Sequence, residues 1–308
     1  MSTTGDMLFP LIPLRRSRAL EVAGRASRHR GAGDEIASSR PYRRGDAIRS
    51  VDWAASARLS TARGRDEFVV RDHFAEDVIR VVVVVDRSPS MALFPEALPW
   101  LHKPAVVRDA AAMIVASGVA AGALVGFAEV GEQGPRLDRP GRDRMLPDAA
   151  VRRVLSGEAN GPADSLDQAF ALLVGNRSTD LPPGTFVFVL SDFLPAPSAT
   201  TLRTLVAMGW DVVPVVVQDP VWEGSFPDIS GVTVPVAGPA GGSTLLRLSR
   251  KEAQARRRGN ELRATELGTT LREIGVDVVS LTTGDRAGMH SAFLAWAARR
   301  DTRARRYR

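Results

Sequence analysis

Asp86-Arg87-Ser88-Pro89-Ser90-Met91 sets a carboxylate and two hydroxyls at alternate positions of one short stretch. Three hard oxygen donors so spaced can turn toward one point. They suit a cation such as Mg²⁺, or Mn²⁺ in its place, which takes few protein ligands and keeps several waters. The same residue types are also ordinary loop chemistry, since an aspartate or serine after a strand often closes an Asx turn or caps a helix. Position tells between the two. Val81 to Val85 is an unbroken run of valine behind Val78-Ile79-Arg80, the pattern of a strand buried on both faces of a parallel sheet. The polar cluster thus falls at a strand's carboxyl end, where open α/β sheets bind ligands. A second buried run, Thr185 to Leu190, ends in Ser191-Asp192, so Asp86 and Asp192 are expected across one crevice. A helix opening near Asp164 or Ser165 supplies a third loop to the same rim, because Leu166, Ala169, Phe170 and Leu173 share one helical face. Both Asp164 and Ser165 are also good helix caps, and Ser165 with Gln168 has capping-box spacing.

Other chemistries find less support. The chain has no cysteine, which excludes disulfides, Cys-ligated zinc and a Cys nucleophile. His29, His73, His102 and His290 are scattered without ligand or triad spacing. Neither lysine, Lys103 or Lys251, follows a glycine, so there is no phosphate-binding P-loop, and the helix-opening Gly-x-Gly-x-x-Gly of dinucleotide folds is missing. A Mg²⁺-dependent phosphohydrolase with Asp86 as nucleophile is the enzymatic alternative. Against it, Ser88 stands where a second acid would be needed. The reading is therefore not an enzyme.

The elements that position these residues alternate along the chain. Glu67 to Phe74 reads as an edge strand before the valine strand. After the central loop come helix Ala105 to Ala121, strand Ala123 to Phe127, a short helix Pro147 to Leu155, helix Ser198 to Met208 and strand Val212 to Val217. A Gly- and Pro-rich region with short β pieces spans Val221 to Leu248. Ser249-x-x-Glu252 has capping-box spacing for a long helix stopped by Gly275. Strand Val276 to Leu281 follows, then a last helix with Met289, Phe293, Trp296 and Ala297 on one face. Such alternation predicts a doubly wound, mainly parallel α/β sheet with helices on both faces.

The length of 308 residues accommodates one large α/β domain with an appendage, and a hydrophobic content of 44% supplies a core. Met1 to Arg65 carries 13 Arg against 6 acids, Arg299 to Arg308 carries 6 Arg against one Asp, and the remainder is net −6. Two basic ends flank an acidic body. Nucleic-acid binding is not expected, because no known module accompanies the arginines and the acidic body would repel phosphate. Ala110 to Ala128 is 19 residues without a charge, but Gly118 and Gly122 divide it into helix, turn and strand rather than a membrane span. No signal peptide is visible. A cytoplasmic protein without a transmembrane segment is expected, with peripheral membrane contact through the basic ends left open.

At Asp86-x-Ser88-x-Ser90 the chain resembles the von Willebrand factor A-like domains. Their metal-ion-dependent adhesion site adds a Thr from a later loop and an Asp after the fourth strand. Asp86, Ser88, Ser90 and Asp192 match residue by residue, whereas the Thr position holds Asp164, followed by Ser165. Upstream, Arg40-Pro-Tyr42-x-x-Gly45-Asp46-x-Ile48-Arg49-x-Val51-Asp52-Trp53-x-x-Ser56-Ala57-Arg58 is similar to the hallmark of one bacterial family, domain of unknown function fifty-eight, in its short soluble form. The resemblance implies residues 1–74 as an Arg-rich arm and motif segment, 75–300 as a von Willebrand factor A-like domain and 301–308 as a basic tail. It implies a partner or adaptor of a MoxR-type AAA+ ATPase acting on a client protein. Asp86, Ser88, Ser90, Asp164 and Asp192 would be the metal set, and a metal-independent scaffold with a degenerate site is the alternative.

Overall fold

The computed structural model describes residues 7–14, 36–42, 51–73, 79–92, 101–141, 149, 152, 160–176, 181–237 and 243–306. The chain divides into two compact units, Arg16–Val78 and a larger one made of Met1–Arg15 with Ile79–Arg308.

In the smaller unit β1 (Ile36–Pro41) pairs antiparallel with β2 (Val69–His73), and α1 (Trp53–Arg63) lies between them in sequence. Asp52 caps α1 as expected, its Oδ1 accepting from the Ala55 amide at 3.0 Å. The buried Ser56 hydroxyl donates to the Asp52 carbonyl and accepts from the Val69 amide at 2.9 Å, which ties helix to strand. Trp53 and Tyr42 each meet Phe68 edge-on. The strand expected over Glu67 to Phe74 therefore exists as β2, but its partner is β1 within this unit rather than the main sheet.

The larger unit runs β3 (Arg80–Val85), α2 (Lys103–Ala120), β4 (Leu124–Gly131), β5 (Gly134–Gly141), α3 (Ser165–Gly175), β6 (Phe186–Ser191), α4 (Ala199–Ala207), β7 (Asp211–Val217), β8 (Thr233–Ala237), β9 (Ser243–Arg247), α5 (Arg250–Ile274), β10 (Val279–Leu281) and α6 (Arg286–Arg306). The sheet order is β10-β7-β6-β3-β4-β5. All its neighbours are parallel except the edge pair β4–β5. The sequence reading assigns no element to Gly134–Gly141, which carry Pro135 and Pro140; an edge position tolerates proline because one side of the strand needs no ladder bond. Among the described residues β8 and β9 pair only with each other.

The valine strand explains the layering. Val81, Val83 and Val85 face a cluster with Ile114 of α2 and Met289, Phe293 and Trp296 of α6, while Val82 and Val84 face Phe170 of α3, Leu205 of α4 and Leu271 of α5. Strand side chains alternate across the sheet, so five consecutive valines feed two cores. The fold is thus the doubly wound, mainly parallel α/β sheet that the sequence predicts. Residues 7–14 belong to it: Phe9 stacks on Phe293 with centroids 4.4 Å apart, and its amide donates to Ser117 Oγ. Arg300 in α6 bonds Asp211 through two nitrogens, Asp277 through Nε and the Ile12 carbonyl. Of the short helix expected at Pro147 to Leu155, residues 149 and 152 are helical and the others lie outside the described residues.

Candidate functional site

Counting only the sheet strands of the larger unit in chain order, their spatial order is 3-2-1-4-5-6, and the connections leave in opposite directions between β3 and β6. A crevice at the carboxyl ends of those two strands is where doubly wound sheets place ligands. Asp86 follows β3 there, and Ser191-Asp192 closes β6. The register is fixed by the ladder, with Val85 beside Leu190 and the Asp86 amide donating to the Leu190 carbonyl at 3.0 Å.

Asp86 is 5% exposed. Its Oδ1 accepts from the Ser88 amide at 2.8 Å and from Ser165 Oγ at 2.7 Å, and its Oδ2 accepts from Ser191 Oγ at 2.6 Å. Among the described residues every donor to this buried carboxyl is neutral. Ser88 and Ser90 place their hydroxyl oxygens 3.1 Å apart, and Ser90 Oγ also reaches the Leu194 carbonyl. A 3₁₀ turn at Pro89–Ala92 holds this loop. Phe193, the residue after Asp192, has φ of 55°; a bulky side chain in the left-handed region is strain of the kind that gathers at functional loops.

The third loop arrives as expected but with a different residue in contact. Ser165 donates to Asp86 and accepts from the Arg87 amide at 3.1 Å. Asp164 is exposed and accepts from Gln168 Nε2 at 2.9 Å. The Ser165–Gln168 capping box does not form, because the serine hydroxyl is spent on Asp86 and the N-cap position falls to Asp164, whose side chain makes no cap bond. Gly161 brings this loop close: its amide donates to the Arg87 carbonyl, and a Cβ there would stand 2.4 Å from the Val130 carbonyl oxygen. Asp167, in the first turn of α3, has its carboxyl pushed up by burial and then by the negative charges of Asp164 and Asp86.

Asp192, fully buried, joins the crevice in a different state. Its Oδ2 accepts from Lys103 Nζ at 2.7 Å and its Oδ1 from the Leu194 amide at 2.9 Å. Lys103 also donates to Glu223 and to the Ser90 carbonyl. Burial pulls the ammonium's pKa down, but Asp192 and Glu223 outweigh it and leave Lys103 above the ordinary lysine value. The two acids are pushed up by burial, opposed by the single ammonium they share. Arg87, the cation inside the motif, turns away from the hydroxyls and pairs with the buried Glu129 at 2.6 Å.

Sequence reasoning found Asp86, Ser88, Ser90 and Asp192, and the fold brings those four together. It missed Lys103, Glu129, Ser191 as a donor, and Glu223. One signal was present: Lys103 is one of two lysines among 41 basic residues, so this position keeps an ammonium in an arginine-rich chain. Glu223 sits in the Gly- and Pro-rich stretch after β7, where no periodicity marks it.

The donor chemistry fits a small hard cation in part. Adjacent ligands of an octahedral ion at about 2.0–2.1 Å stand roughly 2.9 Å apart, close to the 3.1 Å separation of the Ser88 and Ser90 hydroxyls, and Asp86 adds a carboxyl met by neutral donors. Asp192 is already ion-paired, and Asp164 faces Gln168. Among the described residues no group of three or more His, Cys, Asp or Glu could hold a metal, so any ion here would rest on hydroxyls.

Residues 38–266, more than half of the chain, match the family model described as "Protein of unknown function DUF58". The chain belongs to the DUF58 family. Its Asp-x-Ser-x-Ser loop and the strand that precedes it lie inside the matched region. No curated protein matches the sequence. This DUF58 chain is similar to solved structures at low identity. One is an aerotolerance-related membrane protein from Bacteroides fragilis NCTC 9343 with multiple mutations to serines, at 13% identity and a TM-score of 0.43, covering 72% of this chain and 99% of that one. Another is the conserved hypothetical protein BatB from Bacteroides thetaiotaomicron, at 13% and 0.39 with the same coverage. A third is the SpRpn10 VWA domain, at 14% and 0.32, covering 45% and 76%. Among the described residues no helix is long and apolar enough to cross a membrane.

Proposed function

We propose that this DUF58 protein is a non-enzymatic, von Willebrand factor A-like adaptor that presents the β3–β6 crevice to an acidic side chain of a partner protein. The observation that carries the reading is the buried Asp86 carboxylate, met by neutral donors alone, beside two hydroxyls 3.1 Å apart. Ser88 and Ser90 would hold a Mg²⁺-type ion with Asp86 balancing it. When bound, such an ion supplies an open coordination position that a partner's carboxylate can fill. Ser165 and Ser191 fix the Asp86 rotamer, and Arg87 is kept off the hydroxyls by Glu129. The family resemblance suggests a MoxR-type AAA+ ATPase as the partner, with a client protein remodelled by the pair in the cytoplasm.

A phosphohydrolase would need an exposed nucleophile. Asp86 is buried with both oxygens engaged, which favours the adaptor. The Lys103–Asp192 ion pair favours a second reading, a scaffold that binds the same partner without metal. Binding of a MoxR-type ATPase from the same genome to the immobilised full chain, in Mg²⁺ and in EDTA, separates them. The ion-assisted reading expects EDTA and Asp86→Asn each to weaken binding about ten-fold; full binding in EDTA selects the scaffold, and turnover of an aryl phosphate abolished by Asp86→Asn would replace both with the enzyme.

A further inference from the structure

Lys103 is the first residue of an 18-residue helix, where a cation opposes the helix dipole, and its side chain is 2% exposed. Neither position is favourable for an ammonium without specific partners. It has three donors and three acceptors: Asp192 Oδ2 at 2.7 Å, the Ser90 carbonyl at 3.2 Å and a Glu223 carboxylate oxygen. These partners come from the loops after β3, β6 and β7. Glu223 is itself fixed by the Asp219 amide at 2.8 Å, and Asp219 accepts from the Val221 and Trp222 amides. The lysine therefore stitches three loops together at the switch point, while Asp86, among the described residues, accepts from neutral donors alone.

We propose that Lys103 is a tethered counter-ion that withdraws Asp192 from the ligand set, so that a divalent ion in this crevice rests on the Ser88 and Ser90 hydroxyls, with Asp86 balancing it, and is held weakly until a partner's carboxylate completes its shell. The proposal rests on the ion-assisted reading above. It makes Lys103 a positioning residue: one fixed positive charge a few ångströms from a dication costs at least about ten-fold in affinity even at a protein-like dielectric. Weak binding by the free protein is what makes the ion report on the partner.

The test is titration of Mn²⁺ into the full chain, following free Mn²⁺ by electron paramagnetic resonance, for wild type, Lys103→Met, Asp192→Asn and the double variant. Lys103→Met is expected to bind Mn²⁺ about ten-fold more tightly than wild type, because Asp192 is released; Asp192→Asn, which leaves the ammonium less balanced, should bind about ten-fold more weakly, and the double variant, which changes no net charge, should return to the wild-type level. A folded Lys103→Met with unchanged or weaker affinity overturns the proposal and leaves the ion-assisted reading standing. If Lys103→Met does not fold, Lys103→Gln, which keeps a donor for Asp192 without the charge, is read in its place: binding about ten-fold tighter than wild type supports the proposal, and unchanged or weaker binding overturns it. No Mn²⁺ binding by any of the four proteins removes the ion-assisted reading and this one with it.

Discussion

Ser165 Oγ donates to Asp86 Oδ1 at 2.7 Å across 79 residues of chain, while its neighbour Asp164 points to Gln168. One residue of phase on the opening turn of α3 thus decides which side chain enters the crevice. Ser165→Ala removes a buried hydrogen bond to a charged acceptor and is expected to cost about 1.5–3 kcal/mol of stability. Asp164→Ala, which loses an exposed contact and no cap bond, should stay within about 0.5 kcal/mol. Urea unfolding of the two variants side by side measures the contrast, and equal losses would mean that Ser165 is not the residue that holds Asp86.

Glu129 holds Arg87 off the hydroxyls through bonds of 2.6 and 2.8 Å from two guanidinium nitrogens. Both side chains are under one-tenth exposed. Glu129→Gln removes the carboxylate of this buried pair, and breaking a buried pair from one side costs about 3–5 kcal/mol. Replacing both, as Arg87→Met with Glu129→Leu, should recover most of that loss. Denaturant midpoints of the single and double variants test the coupling.

The Arg300 fork closes the opposite region of the domain, with Asp211 taken by two nitrogens at 2.9 Å and the guanidinium carbon 4.4 Å over the Trp296 ring. Arg300→Met should destabilise the protein by about 3–5 kcal/mol. Arg300→Lys should rescue little, because an ammonium can neither span both Asp211 oxygens nor stack flat on the indole. A lysine variant as stable as wild type would reduce the fork to simple charge balance.

Glu252 illustrates a pH dependence whose sign is plain. Its carboxyl is held below the ordinary glutamate value by the Ser249 amide and then by the Ser249 side chain, in a complete capping box. A carboxylate with a lowered folded pKa stabilises the fold above its unfolded value, and that contribution is lost as pH falls through the folded one. The Ser249 amide resonance should therefore titrate with a midpoint below the ordinary 4.5 in wild type and stay flat in Glu252→Gln. A wild-type midpoint at or above 4.5 would show that the box confers nothing on the helix start.

What was legible in the sequence follows from how local each signal is. Five valines, the Ser249 capping box, Gly275 at φ of 78° and the Met289–Ala297 face each encode their element within a few residues, and all are in place. β5 was illegible because an edge strand makes its ladder bonds on one side only and leaves room for prolines. The motif aspartates and serines were legible because spacing alone brings Asp86, Ser88 and Ser90 together. Lys103, Glu129 and Glu223 were not: each acquires its meaning from a partner 42 to 120 residues away, and no periodicity carries such a pairing. Choosing between Asp164 and Ser165 needed the helix phase, which sequence patterns fix only to within a residue or two.

The chain belongs to the larger unit at residues 7–14, forms the smaller unit between Arg16 and Val78, and resumes the larger unit at Ile79. The family-motif segment is therefore a guest within a host and not a leader ahead of it. A guest held at both ends keeps its effective concentration near the host even after a single proteolytic nick, since residues 7–14 remain clamped by Phe293 and Arg300. A leader would be lost by the same cut. Excision of residues 16–78 with a short joining linker should consequently leave a host domain that retains its amino-terminal clamp, the arrangement that tolerated domain insertions share.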